Sequence, residues 1–141
     1  MNKISEFKKA DGHVYVEIYY DPEHHMVMDV WKGNFGTQEN FRKGIMKAIE
    51  VIKFHGCRAW VGDLREMKGS FDSSNDWMFQ TAVPQAKLYG LTRAAIIWPE
   101  NVFSKLSAKD TMQKVGYLEL RAFDKPEEAF KWVKADIQLA S

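Results

Sequence analysis

Cysteine is nearly absent: Cys57 stands alone among 141 residues, which excludes an intramolecular disulfide and fits a reducing compartment. No apolar run approaches the roughly 20 residues of a membrane span. The opening MNKISEFKKADGH also lacks the apolar centre of a secretion signal, so a cytoplasmic location is expected. Neither sign of charge dominates. With 20 Lys+Arg against 19 Asp+Glu the net charge is +1, too small for the broad attraction that nucleic acids or anionic membranes require. Proline is scarce at four residues, and no repeat, low-complexity tract or Pro/Gly/Ser linker divides the chain. A length of this order supports one domain with one core.

What is present is alternation. Residues 1–12 lack periodicity and are expected to form a flexible lead-in to a domain of residues 13–141. From there Val14, Val16, Ile18 and Tyr20 fall on one face of a strand, and His13, Tyr15, Glu17 and Tyr19 on the other. Turn residues Asp21-Pro22-Glu23-His24 lead to a second strand, Met26 to Trp31, giving an antiparallel hairpin. Thr37 is a natural N-cap for a helix with Phe41, Ile45, Ala48, Ile49 and Ile52 along one stripe, and Gly56 closes it.

The stretch CRAWVGDLREMKGSFDSSNDW, from Cys57 to Trp77, reads as a buried strand, Arg58 to Asp63, followed by a loop and a helix start. Ser73 or Ser74 is expected to cap that helix, and Pro84 to kink or restart it. The apolar run Arg93 to Trp98, stopped by Pro99, suits an inner parallel strand. One or two short helices follow within Glu100 to Val115, with Ser107 a candidate cap. A last strand, Tyr117 to Phe123, precedes a helix that turns Ala129, Trp132, Val133 and Ile137 toward the sheet. The expected fold is therefore α/β, a mostly parallel five-stranded sheet with an antiparallel first strand and about four helices.

Three phrases carry a family resemblance. They are Val61-Gly62-Asp63-Leu64-Arg65 with Gly69 soon after, Ala94-Ala95-Ile96-Ile97-Trp98-Pro99-Glu100 leading to Val102-Phe103, and Phe123-Asp124 followed by Glu127-Glu128-Ala129-Phe130-Lys131-Trp132. Across residues 13–137 the chain resembles the SpoIIAA-like, or STAS/SEC14-like, branch of the STAS superfamily. That resemblance implies a single STAS-like domain; with no catalytic constellation in the residues, a non-enzymatic module without cofactor is expected, binding a protein partner or a second copy of itself through the Ser73 to Val83 helix and its preceding loop. It also implies a phosphorylated serine at the start of the helix after the central strand, where the family motif is Asp-Ser-Ser-Gly. Here Asp72-Ser73-Ser74-Asn75 matches three positions, with Asn75 in place of glycine. The SEC14-like relatives imply an alternative, a small apolar, lipid-like ligand held between helix and sheet.

The residues themselves support a site at the carboxyl ends of the strands. Asp63 and Arg65 are candidates to contact a ligand or partner, as are Trp77, Met78 and Phe79, three consecutive apolar residues that cannot all face the sheet. Ser73 and Ser74 are candidate phosphosites, since a helix N-terminus offers free donors to a phosphate. No nucleophile–base pair is evident, so no catalytic residue is assigned. His24 and His25 lack zinc-ligand spacing, Cys57 reads as a small buried hydrophobe, and Gly33-Asn34-Phe35-Gly36 reads as a plain turn. A carrier would need an apolar cavity on the order of 300 Å³.

Overall fold

All five strands expected from the sequence form, and a sixth precedes them, in the computed structural model, which describes residues 1–140 and side chains as far as Ala135. Ile137, expected to face the sheet, has its side chain outside the described residues. The extra strand is β1, Asn2–Lys8, where a flexible lead-in is expected. It pairs antiparallel with β2, Val14–Asp21, and Lys3 meets Glu17 of β2 at 2.7 Å. A register shift beside Val14 and Val16 lets Tyr15 turn inward, so it is buried rather than outward-facing, and its hydroxyl donates to the Asn40 carbonyl at 2.9 Å.

The hairpin continues into β3, Met26–Asn34, antiparallel to β2. From there pairing is parallel through β4, Ala59–Lys68, β5, Arg93–Ile97, and β6, Glu119–Phe123. Strand order in space follows order in the chain, β1 to β6. Successive right-handed crossovers that step in one direction put their helices on one face of a sheet. Accordingly α1, Gln38–His55, the composite helix of Asn75–Leu88, and α4, Val102–Lys114, pack on one side. The last helix, α5, Pro126–Ala140, connects no further strand and covers the opposite face with Ala129 and Val133.

Local chemistry explains the boundaries. Thr37 Oγ1 accepts from the Asn40 amide at 3.1 Å, and Gly56 ends α1 at φ 66°. The composite helix starts with a 3₁₀ turn, Asp72–Ser74, then runs through α2, Asn75–Trp77, a π turn, Met78–Ala82, and α3, Val83–Leu88. The restart expected at Pro84 is this π turn: the Val83 amide donates to the Met78 carbonyl just before the residue that lacks a donor. Between Glu100 and Val115 there is one helix, capped by Asn101, whose Oδ1 accepts from Phe103 and Ser104 amides at 3.0 and 3.1 Å. Ser107 is no cap. It lies within α4, buried, and its hydroxyl accepts from the Phe71 amide at 3.0 Å.

Candidate functional site

Strand alternation divides the expected site residues between the two faces of the sheet. Val61 belongs to the core beneath α5, so Asp63, two residues on, points to that side, whereas Trp60 and Leu64 face the three-helix layer. The β4 strand does not end at Asp63. It continues to Lys68 beside β3 alone, because β5 stops at Ile97, the partner of Asp63. Asp63 is buried there and spends its carboxylate on Arg65: Nε donates to Oδ1 at 3.0 Å, Nη2 to Oδ2 at 2.7 Å, and the Arg65 amide to Oδ1 at 3.2 Å. The bidentate contact raises the Arg65 guanidinium further above its ordinary value.

On the opposite side, neither serine caps the composite helix. Ser74 is fully buried, donating to Gln38 Oε1 at 2.7 Å and accepting from Arg42 Nε at 3.3 Å, while Ser73 is exposed. Asn75, where the family motif has glycine, bolts two helices together. Its amide donates to the Ser107 carbonyl at 3.1 Å and to Asp110 Oδ2 at 2.9 Å, and its carbonyl accepts from Thr111 Oγ1 at 2.7 Å. The apolar triplet is also split. Trp77 is half-buried under the Arg42 guanidinium, Phe79 is 40% exposed against Tyr117, and Met78 turns inward.

Met78 turns toward a cavity of about 80 Å³ between the sheet and the three-helix layer. The sheet contributes Trp31, Trp60, Gly62 and Leu64, and the helices and their loops contribute Phe41, Ile45, Phe71, Val83, Thr111 and Val115. Ile96, Leu118 and Leu120, each half-buried, lie on its solvent side. The wall is rigid: Phe41 stacks on Phe71 with ring centroids 4.6 Å apart, and Trp31 sits 5.2 Å from Phe41. A Cβ on Gly44 would stand 2.7 Å from the Trp31 ring, so only glycine lets α1 settle this closely on β3.

One ionisable group lines this apolar space, Asp29, a residue the sequence reading does not single out. It is 2% exposed, and Trp60 Nε1 donates to its Oδ1 at 3.3 Å. Gly62, its partner on β4, makes the room: a Cβ there would come within 3.2 Å of Oδ1. Burial pushes the Asp29 carboxyl up to about 7, against the opposing pull of the Trp31 and Trp60 indoles. The Trp31 indole is thus close enough to favour the ionised form. Among the described residues, however, its buried Nε1–H finds no hydrogen-bond partner.

The signal for Asp29 was its place in Met26-Val27-Met28-Asp29-Val30-Trp31. An acid inside a strand that is apolar on both faces must be buried. Elsewhere, Asp21, Glu23 and His24 gather in the β2–β3 turn, where Asp21 Oδ1 accepts from the Glu23 amide at 3.1 Å and Oδ2 lies 2.9 Å from His24 Nδ1. Cys57 is fully buried, and that burial pushes its thiol up to about 11. None of the helices among the described residues is long and apolar enough to cross a membrane. No protein-family model, curated protein or solved structure matches the chain.

Proposed function

We propose that the protein is a non-enzymatic, STAS-like regulatory module that holds a small apolar molecule between its helix layer and its sheet. The observation behind this reading is the aromatic-walled cavity at Asp29. Its volume of about 80 Å³ falls short of the roughly 300 Å³ at which pockets for larger ligands begin, so the cargo is compact rather than lipid-sized. Any phosphorylation of the serine pair would fall on Ser73, the exposed one. Native mass spectrometry of the gently purified chain, set beside its denatured mass, tests the reading. A non-covalent adduct that vanishes on denaturation is the expected result. A bare monomer whose Met78 and Val83 methyl resonances also ignore added toluene would end it.

A second reading, self-association, is favoured by a different surface. Val102, Phe103 and Leu106 are exposed on α4, Phe103 at 62%, whereas the Trp77-Met78-Phe79 triplet leaves only Phe79 outward. If two copies meet through α4, Phe103→Asp converts a sedimenting dimer into a folded monomer. Unchanged sedimentation would remove this reading.

A further inference from the structure

The sheet ends in two edge strands, and they are finished differently. β1 carries Lys3, Glu6 and Lys8 and has two register shifts along its pairing with β2, charges and irregularities that keep an edge from recruiting another strand. β6 has no lysine, no proline and an unbroken register on β5. Its parallel pairing uses the backbone of alternate residues only. The Trp98 amide donates to the Phe123 carbonyl, so Phe123, Arg121 and Glu119 turn their backbones to β5, while Leu120 and Ala122 turn N–H and C=O groups outward. No strand among the described residues meets them there.

The faces of β6 are only partly covered. α5 packs chiefly beneath β4 and β5, and α4 packs against β4 and the composite helix, so Leu120 and its neighbour Ile96 stay half-buried. Two opposite charges stand at alternate positions on the α5 side. Glu119 gives Oε2 to Arg93 and keeps Oε1 unpartnered among the described residues, with 60% of its side chain exposed. Arg121 lies over the Phe123 and Trp132 rings, 5.4 and 5.6 Å from their centroids, and pairs with no carboxylate among the described residues.

Such a strand is complementary to itself. When two copies of β6 run antiparallel about Leu120, the two Leu120 residues exchange both backbone hydrogen bonds, and Glu119 of each copy stands opposite Arg121 of the other. Centring the pair on either neighbouring residue sets Glu119 against Glu119 or Arg121 against Arg121, which repulsion disfavours. We propose that β6 is a self-association edge, on which a second copy of this chain adds its own β6 antiparallel about Leu120 and extends the sheet across both molecules. This contact is separate from the α4 surface considered above and uses none of Val102, Phe103 or Leu106.

The test follows the full chain by sedimentation and by amide hydrogen exchange from low micromolar to near-millimolar concentration. The Leu120 amide is expected to be protected where the chain sediments as a dimer and to exchange freely once dilution gives monomers. Arg121→Glu should weaken the dimer about tenfold, because both cross-strand pairs become like-charged. Adding Glu119→Arg to that variant reverses both signs and should restore association, whereas Phe103→Asp on α4 should leave it unchanged. A chain that is monomeric throughout, or a dimer whose Leu120 amide stays unprotected, would overturn the proposal. A double variant as weak as Arg121→Glu would overturn the assigned register. A dimer that survives Arg121→Glu but is lost in Phe103→Asp would overturn the β6 contact and assign the dimer to α4. Should the charge variants fail to fold, exchange at Leu120 in the wild-type chain still decides.

Discussion

The two faces of the sheet are packed by the same strands with opposite results. Toward α5, the core consists of Met26, Met28, Ala59, Val61, Ala95 and Ile97 against Ala129 and Val133, small or flexible side chains that settle into close contact. Toward the three-helix layer, the alternate residues of those strands include Trp31 and Trp60, met by Phe41 and Phe71. Flat, rigid rings locked in stacked and tilted contacts cannot flow into every gap, and the cavity lies among them. Asp29, the one acid on its wall among the described residues, is there as well. One face is built for cohesion. The other accepts imperfect packing and, in Asp29, a buried carboxyl without a cation on the described cavity wall, whereas Asp63 on the α5 side is neutralised by Arg65.

The sharpest way to break this comparison is Asp29→Asn. The Asp29 carboxyl holds its proton to about pH 7 in the folded chain, against an ordinary value of 3.8. Because the folded state binds the proton more tightly, unfolding releases it between those values, so stability falls as pH rises from about 4 to about 7 and then levels. At roughly 1.4 kcal/mol per pH unit, the loss is on the order of 4 kcal/mol. Carboxylates pulled the other way, Glu17 by Lys3 and Asp21 by its hydrogen bonds to His24, lose their contribution below the ordinary carboxylate range and so outside this window. In urea titrations, Asp29→Asn should match the wild-type chain near pH 4 and exceed it at pH 8. A stability difference independent of pH would mean that the carboxyl carries no such burden.

How far the sequence foretold the two faces depends on how local each signal is. Thr37, Gly56 and the five strands after β1 were legible because a cap or an alternating or apolar run acts over a few residues. The β1 strand was not. An edge strand keeps one face exposed, and NKISEFK offers only Ile4 and Phe7 among charges whose partner, Glu17, lies across the hairpin. Asp63 and Arg65 were visible as a charged pair, but which face they occupy is decided by the register of β4 on β3. Ser74 looked like a cap because its burial depends on Gln38 and Arg42, more than thirty residues upstream. Cavities are still less legible, since space is what side chains from distant segments fail to fill.

Adjacent residues of β5 allow the faces to be compared directly. Both border the cavity, but Ala95 packs in the core under α5, whereas Ala94, its neighbour, belongs to the opposite core. Ala95→Leu forces extra methylenes into filled space and should cost about 1–3 kcal/mol. Ala94→Leu has space to occupy, so its cost should stay below about 1 kcal/mol, while toluene uptake is lost as the cavity fills. Denaturant unfolding and the toluene titration measure both. Equal costs would show that the two faces are packed alike and that the contrast drawn between them is wrong.

The smallest expected effect concerns two neighbouring serines, and it isolates what holds the cavity side together. Ser74 Oγ links the 3₁₀ turn to α1 through Gln38 and Arg42, with no exposure to water. Ser74→Ala removes that link and leaves Gln38 Oε1 short of a donor inside the protein, a loss of about 1 kcal/mol. Ser73 is exposed, so Ser73→Ala should change stability by less than about 0.5 kcal/mol. Because the same turn carries Phe71 and leads to Met78, both cavity-wall residues, Ser74→Ala should also weaken toluene binding while Ser73→Ala leaves it intact. If both variants keep wild-type stability and toluene affinity, the wall is positioned by ring packing alone. The Ser74 contact would then have no part in making the site.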